Sequence, residues 1–275
     1  MNALHTGTAL EAFDADWQEW HAAHEQQRAH PHGFLAVTHL HWLGNDPTRL
    51  EGAPGTWSVD ADVVRVVLER GEILELEQQA LPAGETVIGP IAERAGVNLR
   101  SGDTVIELAK RGSEYIVRPR NPENGLLRGY QGTPAYSPDA AYAVRGTYVP
   151  FETPRPTTVG AAVEGIQHVY EAPGEIRFKL AGEELVLTAF NGHAPGTLSV
   201  LFTDQTSGRT TYAANRSLSV VPAGDGSVQL DFNRAVNLPC AYTDLATCPL
   251  PPAENRLPVA IEAGEKIPYE RQDQQ

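Results

Sequence analysis

Residues 174–190, "GEIRFKLAGEELVLTAF", decide the fold class. Two runs alternate apolar and polar residues, and Ala181-Gly182 stands between them in "LAGEEL". Alternation by two puts one set of side chains on each face of a strand. Two such runs around a short Gly-containing link read as a β-hairpin. Working outward, "YAVRGTYVPF", "TTVGAAVE", "TLSVLFTD", "SVQLDFN" and "PVAIEA" read as further strands, with "AGDGSV" a second hairpin turn. On the N-terminal side, "TWSV", "DVVRVVLE", "EILELEQ", "DTVIELAK" and "EYIVRPR" are separated by the polar turns "RGE", "PAGE", "RSGD" and "RGS". Strands at such regular intervals predict a β-sandwich or partly closed barrel. The run "FLAVTHLHWL" (34–43) reads as one more strand, with His39 and His41 on the same face.

One segment departs from this pattern. In residues 9–29, Leu10, Phe13, Trp17 and Trp20 recur at spacings of three and four. That is the apolar stripe of an amphipathic helix, stopped by His30-Pro31-His32-Gly33. The expected architecture is therefore mainly β: two packed β-sandwich or barrel-like units with one N-terminal amphipathic helix. The expected organisation is a helix within 1–33, a sandwich-like unit over 34–125, a second β-rich unit over 140–268 and a frayed tail at 269–275. The Gly-, Pro- and Asn-rich stretch 121–141 is the boundary between the two units.

Composition narrows the function classes. The 275 residues carry a net charge of −14 and 41% hydrophobic residues. Nucleic acid and anionic membranes call for a basic face, so neither is an expected partner. No stretch reaches the ~20 apolar residues of a membrane span. "MNALHTGTALEAFDADW" has neither the basic region nor the apolar core of a signal peptide, so a cytoplasmic location is expected. No cofactor is expected, and the oligomeric state is left open.

The densest signature lies at 199–266: "LFTDQTSGRTTYAANRSL", then "VQLDFNRAVNLPCAYTDLATCPLPPAENRLPVAIEAGEK". It resembles the C-terminal signature of a widespread bacterial family classed as a domain of unknown function. The likeness extends more loosely to "HLHWL", "IVRPRNPE" and "RGTYVPFETPRP". The family resembled brings no activity to import. Its N-terminal half is similar to a forkhead-associated-type β-sandwich, but the phosphothreonine-reading pattern of such domains is not evident in this chain.

The residues themselves suggest where chemistry would sit. In "FTDQTSGRTTY", Asp204, Thr206, Ser207 and Gly208 form a tight turn, expected to return as a strand through "RTTYAA". Thr206, Ser207, Arg209, Thr211, Tyr212 and Arg216 would line one wall of a polar pocket, where arginine suits carboxylate or phosphate. Asn233, Asn237, Tyr242 and Asn255 would line the other. Apart from Asn233, that wall belongs to the loop 237–255, stiffened by Pro239, Pro249, Pro251 and Pro252. Asp231 is expected to share a strand face with Asn233 and to pair with Arg216. Asp204, Asp231, Cys240 and Glu265 are the catalytic candidates, with Glu265 a lone general base or a lock for an arginine. Cys240 and Cys248 are too widely spaced for an ordinary zinc pair or a C-x-x-C redox pair. Buried structural thiols, or a disulfide in an oxidising setting, are the simpler reading of them. His39 and His41 lack further ligands nearby for a metal. Arg118, Arg120 and Arg128 offer a local anion site.

Three functions stay open: a binding protein for a small anionic or hydroxylated molecule, a hydrolase-type enzyme using a carboxylate with arginine or Cys240, and a structural or assembly role.

Overall fold

A computed structural model describes residues 3–272, and the side chains from Leu10 onward. The chain is mostly β, in antiparallel sheets with one long N-terminal helix. It divides into two compact units. One gathers the chain through Glu25 with Gly132–Asp244 and the stretch from Cys248; the other is Gln26–Gln131 with Leu245–Thr247.

The second unit holds ten strands: β1 (His41–Trp42), β2 (Thr48–Leu50), β3 (Ala53–Asp60), β4 (Val63–Leu68), β5 (Glu75–Leu76), β6 (Gln79–Ala80), β7 (Gly84–Ile88), β8 (Gly96–Ser101), β9 (Thr104–Arg111) and β10 (Glu114–Arg120). One sheet runs β1-β10-β9-β8-β5-β6 and the other β2-β3-β4-β7. Their inward residues, among them Trp57, Val64, Val66, Leu99, Ile106, Leu108, Tyr115 and Val117, meet in a single buried cluster. This is the sandwich that the alternation predicts: in "VVRVVL" Val64, Val66 and Leu68 are buried while Arg65 and Val67 point outward.

The segment 34–43 corrects the sequence reading. Only His41–Trp42 is strand, and Phe34–Ala36 forms a turn of 3-10 helix. Leu35 and Ala36 are buried. The backbone reaches β10 through single contacts, Thr38 N–H to the Pro119 carbonyl and Asn121 N–H to the Ala36 carbonyl. Another short helix, Gly125–Gly129, interrupts the stretch 121–141.

The first unit adds α1 (Ala3–Arg28) and seven strands: β11 (Ala143–Gly160), β12 (Gln167–Leu180), β13 (Glu183–Asn191), β14 (Leu198–Phe202), β15 (Arg216–Val220), β16 (Ser227–Asp231) and β17 (Val236–Asn237). They form one sheet in the order β16-β11-β12-β13-β14-β15-β17. The opening hairpin is β12–β13, in register from Leu180↔Glu183 to Gly174↔Ala189. Ile176, Phe178, Leu185 and Leu187 fill one face. Leu218 of β15 and Leu230 of β16 share that core although they stand far apart in strand order, so the sheet is curled.

Three expectations are corrected in this unit. "YAVRGTYVPF" and "TTVG" are one strand, β11, with an irregularity in its pairing with β12 between Pro150 and Arg155. "RTTYAA" is no strand; the return begins at Arg216. "PVAIEA" is irregular backbone, yet Leu257, Val259, Ile261 and Ala263 bury their side chains in the core. Alternation there reflects burial of every second residue, while the backbone meets its neighbours at single points, Leu257 N–H to the Thr203 carbonyl and Gln205 N–H to the Val259 carbonyl.

On α1 the half-buried positions are Phe13, Trp17, Trp20, His21, His24 and Glu25. Leu10 is exposed. The inner face is therefore aromatic first and polar after Trp20. At the C-terminus, Tyr269–Gln272 is a short helix, where fraying was expected; the last three residues of that expected tail lie outside the described residues.

Candidate functional site

Within the first unit the polar signature folds onto itself. Arg216 opens β15, opposite Phe202 of β14 and Asn237 of β17. Its side chain is 1% exposed. A guanidinium there needs acceptors for its donors. Nη2 donates to Asp204 Oδ2 at 2.8 Å and to the Ile261 carbonyl at 3.0 Å. Nη1 donates to the carbonyls of Ala263 and Glu265. Burial pulls the guanidinium below its usual proton affinity, and the Asp204 carboxylate opposes this. Arg216 thus ties down the irregular backbone of 261–265 through the Ile261, Ala263 and Glu265 carbonyls.

Asp204 completes the tie. Its Oδ1 accepts from Thr206 N–H at 2.8 Å, Thr206 Oγ1 at 2.6 Å and Ile261 N–H at 3.2 Å. Thr206 and Thr211 hydroxyls meet at 2.8 Å, and Ser207 Oγ accepts from Asp204 N–H. The hydroxyls of this turn are committed to one another, as Asp and Thr side chains commonly are in tight turns. Arg209 lies outside the lattice, exposed to solvent.

This corrects the expected Asp231–Arg216 pair. Asp231 instead lies 3.2 Å from Arg234 and accepts from Asn233 N–H. The strand ends at Asp231, and Phe232–Arg234 turns into a 3-10 helix, so Asp231 and Asn233 do not share a strand face. Asn233 is buried and brackets the Asp139 backbone, accepting from its N–H and donating to its carbonyl, each at 2.9 Å. Asn255 is fully buried. It accepts from Thr188 N–H and donates to the carbonyls of Thr188 and Leu201, acting as a side-chain rung between β13 and β14.

The loop 237–255 and the turn 204–216 lie in direct contact: Tyr212 Oη donates to the Cys240 carbonyl at 2.9 Å, and Asn215 Nδ2 to the Pro249 carbonyl at 2.7 Å. Cys240 and Cys248 are free and buried, so the disulfide is not formed. Cys240 N–H points at Cys248 Sγ at 3.4 Å. The hydrogen bond to Cys248, and then burial, push the Cys240 thiol up. A nucleophilic cysteine needs the opposite shift.

Glu265 is where the lattice meets α1. Gly264, with φ +75°, turns the chain so that Glu265 N–H reaches the Ala235 carbonyl. The carboxylate, 2% exposed, accepts from Asn237 N–H at 2.6 Å and from Tyr242 Oη at 3.4 Å. His24 Nε2 lies 3.5 Å from its other oxygen. Expected to lock an arginine, Glu265 meets Arg216 only through its backbone carbonyl. The His24 ring is one-quarter exposed and stacks on Trp20 with centroids 5.3 Å apart. Thr133 Oγ1 lies 2.7 Å from Tyr242 Oη, and Thr133 N–H donates to Glu25 Oε2. A buried carboxylate, an imidazole at the surface and two hydroxyls converge here. Such a set can accept hydrogen bonds from hydroxyls and can move a proton. Sequence reading named Glu265 and Tyr242 but missed His24, Glu25 and Thr133. The available signal was that His24 continues the Trp17–Trp20 stripe by one turn.

His39 and His41 belong to the other unit. Their rings stack 5.5 Å apart; His39 faces the Glu51 carboxylate, and His41 Nε2 sits 2.9 Å from the Glu51 carbonyl. Among the described residues no group of three or more His, Cys, Asp or Glu is arranged to hold a metal. Arg128 pairs with Glu123 at the surface, whereas Arg118 and Arg120 both meet Glu107. No described helix is long and apolar enough to cross a membrane.

Fold and site together define an antiparallel β protein whose C-terminal half is organised by a buried polar lattice. The chain belongs to the family described as "Protein of unknown function (DUF1684)", whose profile matches residues 128–266. No curated protein matches it. Among solved structures it is similar to an uncharacterized protein of Haloarcula marismortui, determined by solution NMR. The two are 34% identical, the match covers 50% of this chain and 78% of the other, and the TM-score is 0.43.

Proposed function

We propose that the family domain binds a small hydroxylated or anionic molecule at the cluster of Glu265, His24, Tyr242 and Thr133. One observation carries this reading. Glu265 is buried and held by Asn237 N–H and Tyr242, while its His24 partner keeps an edge in solvent. The residues of 204–216 and 237–255 first expected to line the pocket hold this cluster in place from behind, Asn237 and Tyr242 directly and Arg216 through the Glu265 backbone. Binding sites commonly combine a rigid polar shell with a few groups left facing outward. Free thiols at Cys240 and Cys248 suit a reducing compartment, and the cytoplasm remains our assignment.

A second reading is acid–base catalysis of a hydrolytic kind, favoured by the carboxylate–imidazole contact. In it Glu265 would orient His24, and the imidazole Nδ1 would exchange the proton. Thermal unfolding against a panel of small polyols, hydroxy acids and their esters tests both. Binding predicts a concentration-dependent rise in Tm that His24→Ala abolishes, with the unliganded Tm little changed. Turnover predicts, in addition, loss of an ester that His24→Ala abolishes. A panel without any shift or turnover rejects both readings and leaves the cluster a structural one.

A further inference from the structure

We infer that the second unit carries a small-oxyanion site on the outer face of β9 and β10, centred on Arg118 and Arg120. Glu107 of β9 and Arg118 of β10 are register partners. Arg120 lies two residues on and Arg111 four residues after Glu107, so all four side chains project from the same side of the sheet. Arg118 grips the carboxylate side-on, Nε to Oε2 at 2.9 Å and Nη2 to Oε1 at 2.8 Å. Arg120 Nη2 reaches Oε2 at 2.5 Å and Arg111 Nη2 reaches Oε1 at 3.2 Å.

The charges do not balance. Arg118 and Arg120 have no other acidic partner among the described residues, so this pair alone leaves one positive charge over, in a chain whose net charge is −14. The donors do not balance either. Arg120 Nη1 is taken by the His32 carbonyl at 3.2 Å, but Arg120 Nε is buried without an acceptor. Arg118 Nη1 has none among the described residues. Arg118 and Arg120 side chains are 13% and 23% exposed, so the group is walled but reachable. Val105 pairs with Arg120 on one side and Arg100 of β8 on the other, which puts a fourth, exposed cation on the same face.

Guanidinium donors at fixed positions, partly desolvated and in excess of their acceptor, are the arrangement that recognises a multiply charged oxyanion. Glu107 positions the arginines by holding their forks; it does not neutralise them. A phosphate, free or as the end of a monoester, has the charge and the acceptors to take the remaining N–H groups.

The test is calorimetric titration of the full chain with inorganic phosphate and, separately, with glycerol 3-phosphate, at matched ionic strength in chloride. Saturable binding is expected. Arg120→Gln, folded by circular dichroism, should bind about tenfold more weakly and Arg100→Gln about threefold more weakly. Tighter binding of one probe identifies the free ion or the ester as the better ligand. Absence of saturable binding to either probe overturns the inference, as does a folded Arg120→Gln that binds as wild type. If Arg120→Gln does not fold, an unchanged affinity in the surface variant Arg100→Gln overturns it.

Discussion

Asp204→Asn is the sharpest probe of the lattice. The change is nearly isosteric, so packing is kept and one charge is removed. Arg216 is then left 1% exposed without its carboxylate partner. Removing one member of a buried pair costs about 3–5 kcal/mol, because the remaining charge stays desolvated. Two features place this case near 3 kcal/mol. Three backbone carbonyls still accept from Arg216, and the nearby charge of Glu265 favours the guanidinium form. The asparagine can preserve at most part of the Oδ1 contacts to Thr206 and Ile261. With a urea m-value of roughly 2 kcal/mol/M, the first unit's midpoint should fall by about 1.5 M. Two units need not unfold together, so amide exchange is the better local readout. Peptides spanning 198–220 should exchange roughly 100-fold faster, the equivalent of ~3 kcal/mol. The double variant Asp204→Asn/Arg216→Met, which removes both charges, should regain part of the loss. A midpoint shift under about 0.3 M at unchanged m, or a double variant that loses the sum of both single losses, would refute the claim that Arg216 is held by its charge partner.

Other outcomes follow from the same geometry. Gly264 has φ +75°, and a Cβ there would sit 2.6 Å from the Ala235 carbonyl oxygen; Gly264→Ala should cost about 2–3 kcal/mol in chemical denaturation and displace Glu265 enough to erase any ligand-induced Tm shift. In the second unit burial alone would raise Glu107, but Arg118 and then Arg120 outweigh it and hold the carboxyl at about 2. Since the unfolded carboxyl titrates near ~4.3, its contribution of about 3 kcal/mol is present above that pH and is lost as pH falls towards about 2. Glu107→Gln should flatten the acid limb of that unit's stability curve, measured by circular dichroism, and an unchanged limb would contradict the reading. Cys240 and Cys248 should resist a thiol reagent in the native protein and release two thiols per chain in denaturant, because both are free and buried. Rapid native labelling of Cys240 would reverse that expectation.

Much of the fold was legible because strand alternation and helical spacing are local signals. Residues 174–190 form a hairpin for the reason their pattern gives, and β4, a mid-sheet strand of the sandwich, alternates as written, whereas Val105 to Ala109 of β9 are all buried. Alternation misled at 257–263, where every second side chain is buried but single backbone contacts to 203–205 and the side chains of Arg216 and Asp204 stand in for a strand ladder. The site was legible only in part. Glu265, Tyr242, Asn237 and Arg216 were named from residue type and proximity to the rigid loop, and they do belong to one network. Their partners were misassigned: Asp204 and Asp231 both stand near Arg216 in sequence, but the chain turns away after Asp231, while the 204–211 turn folds back.

What the sequence determined by itself is therefore whatever depends on period and turn chemistry: a mainly β chain, one N-terminal helix, a tight Asp-Thr-Ser-Gly turn and a proline-stiffened loop. What tertiary structure alone decided is which charges meet. Arg216 met Asp204 rather than Asp231, Glu265 met His24 from 241 residues away along the chain, and Arg118 and Arg120 were joined by Arg111 rather than Arg128. Pairing of buried charges is set by distance and desolvation in space, and neither quantity is written in local spacing.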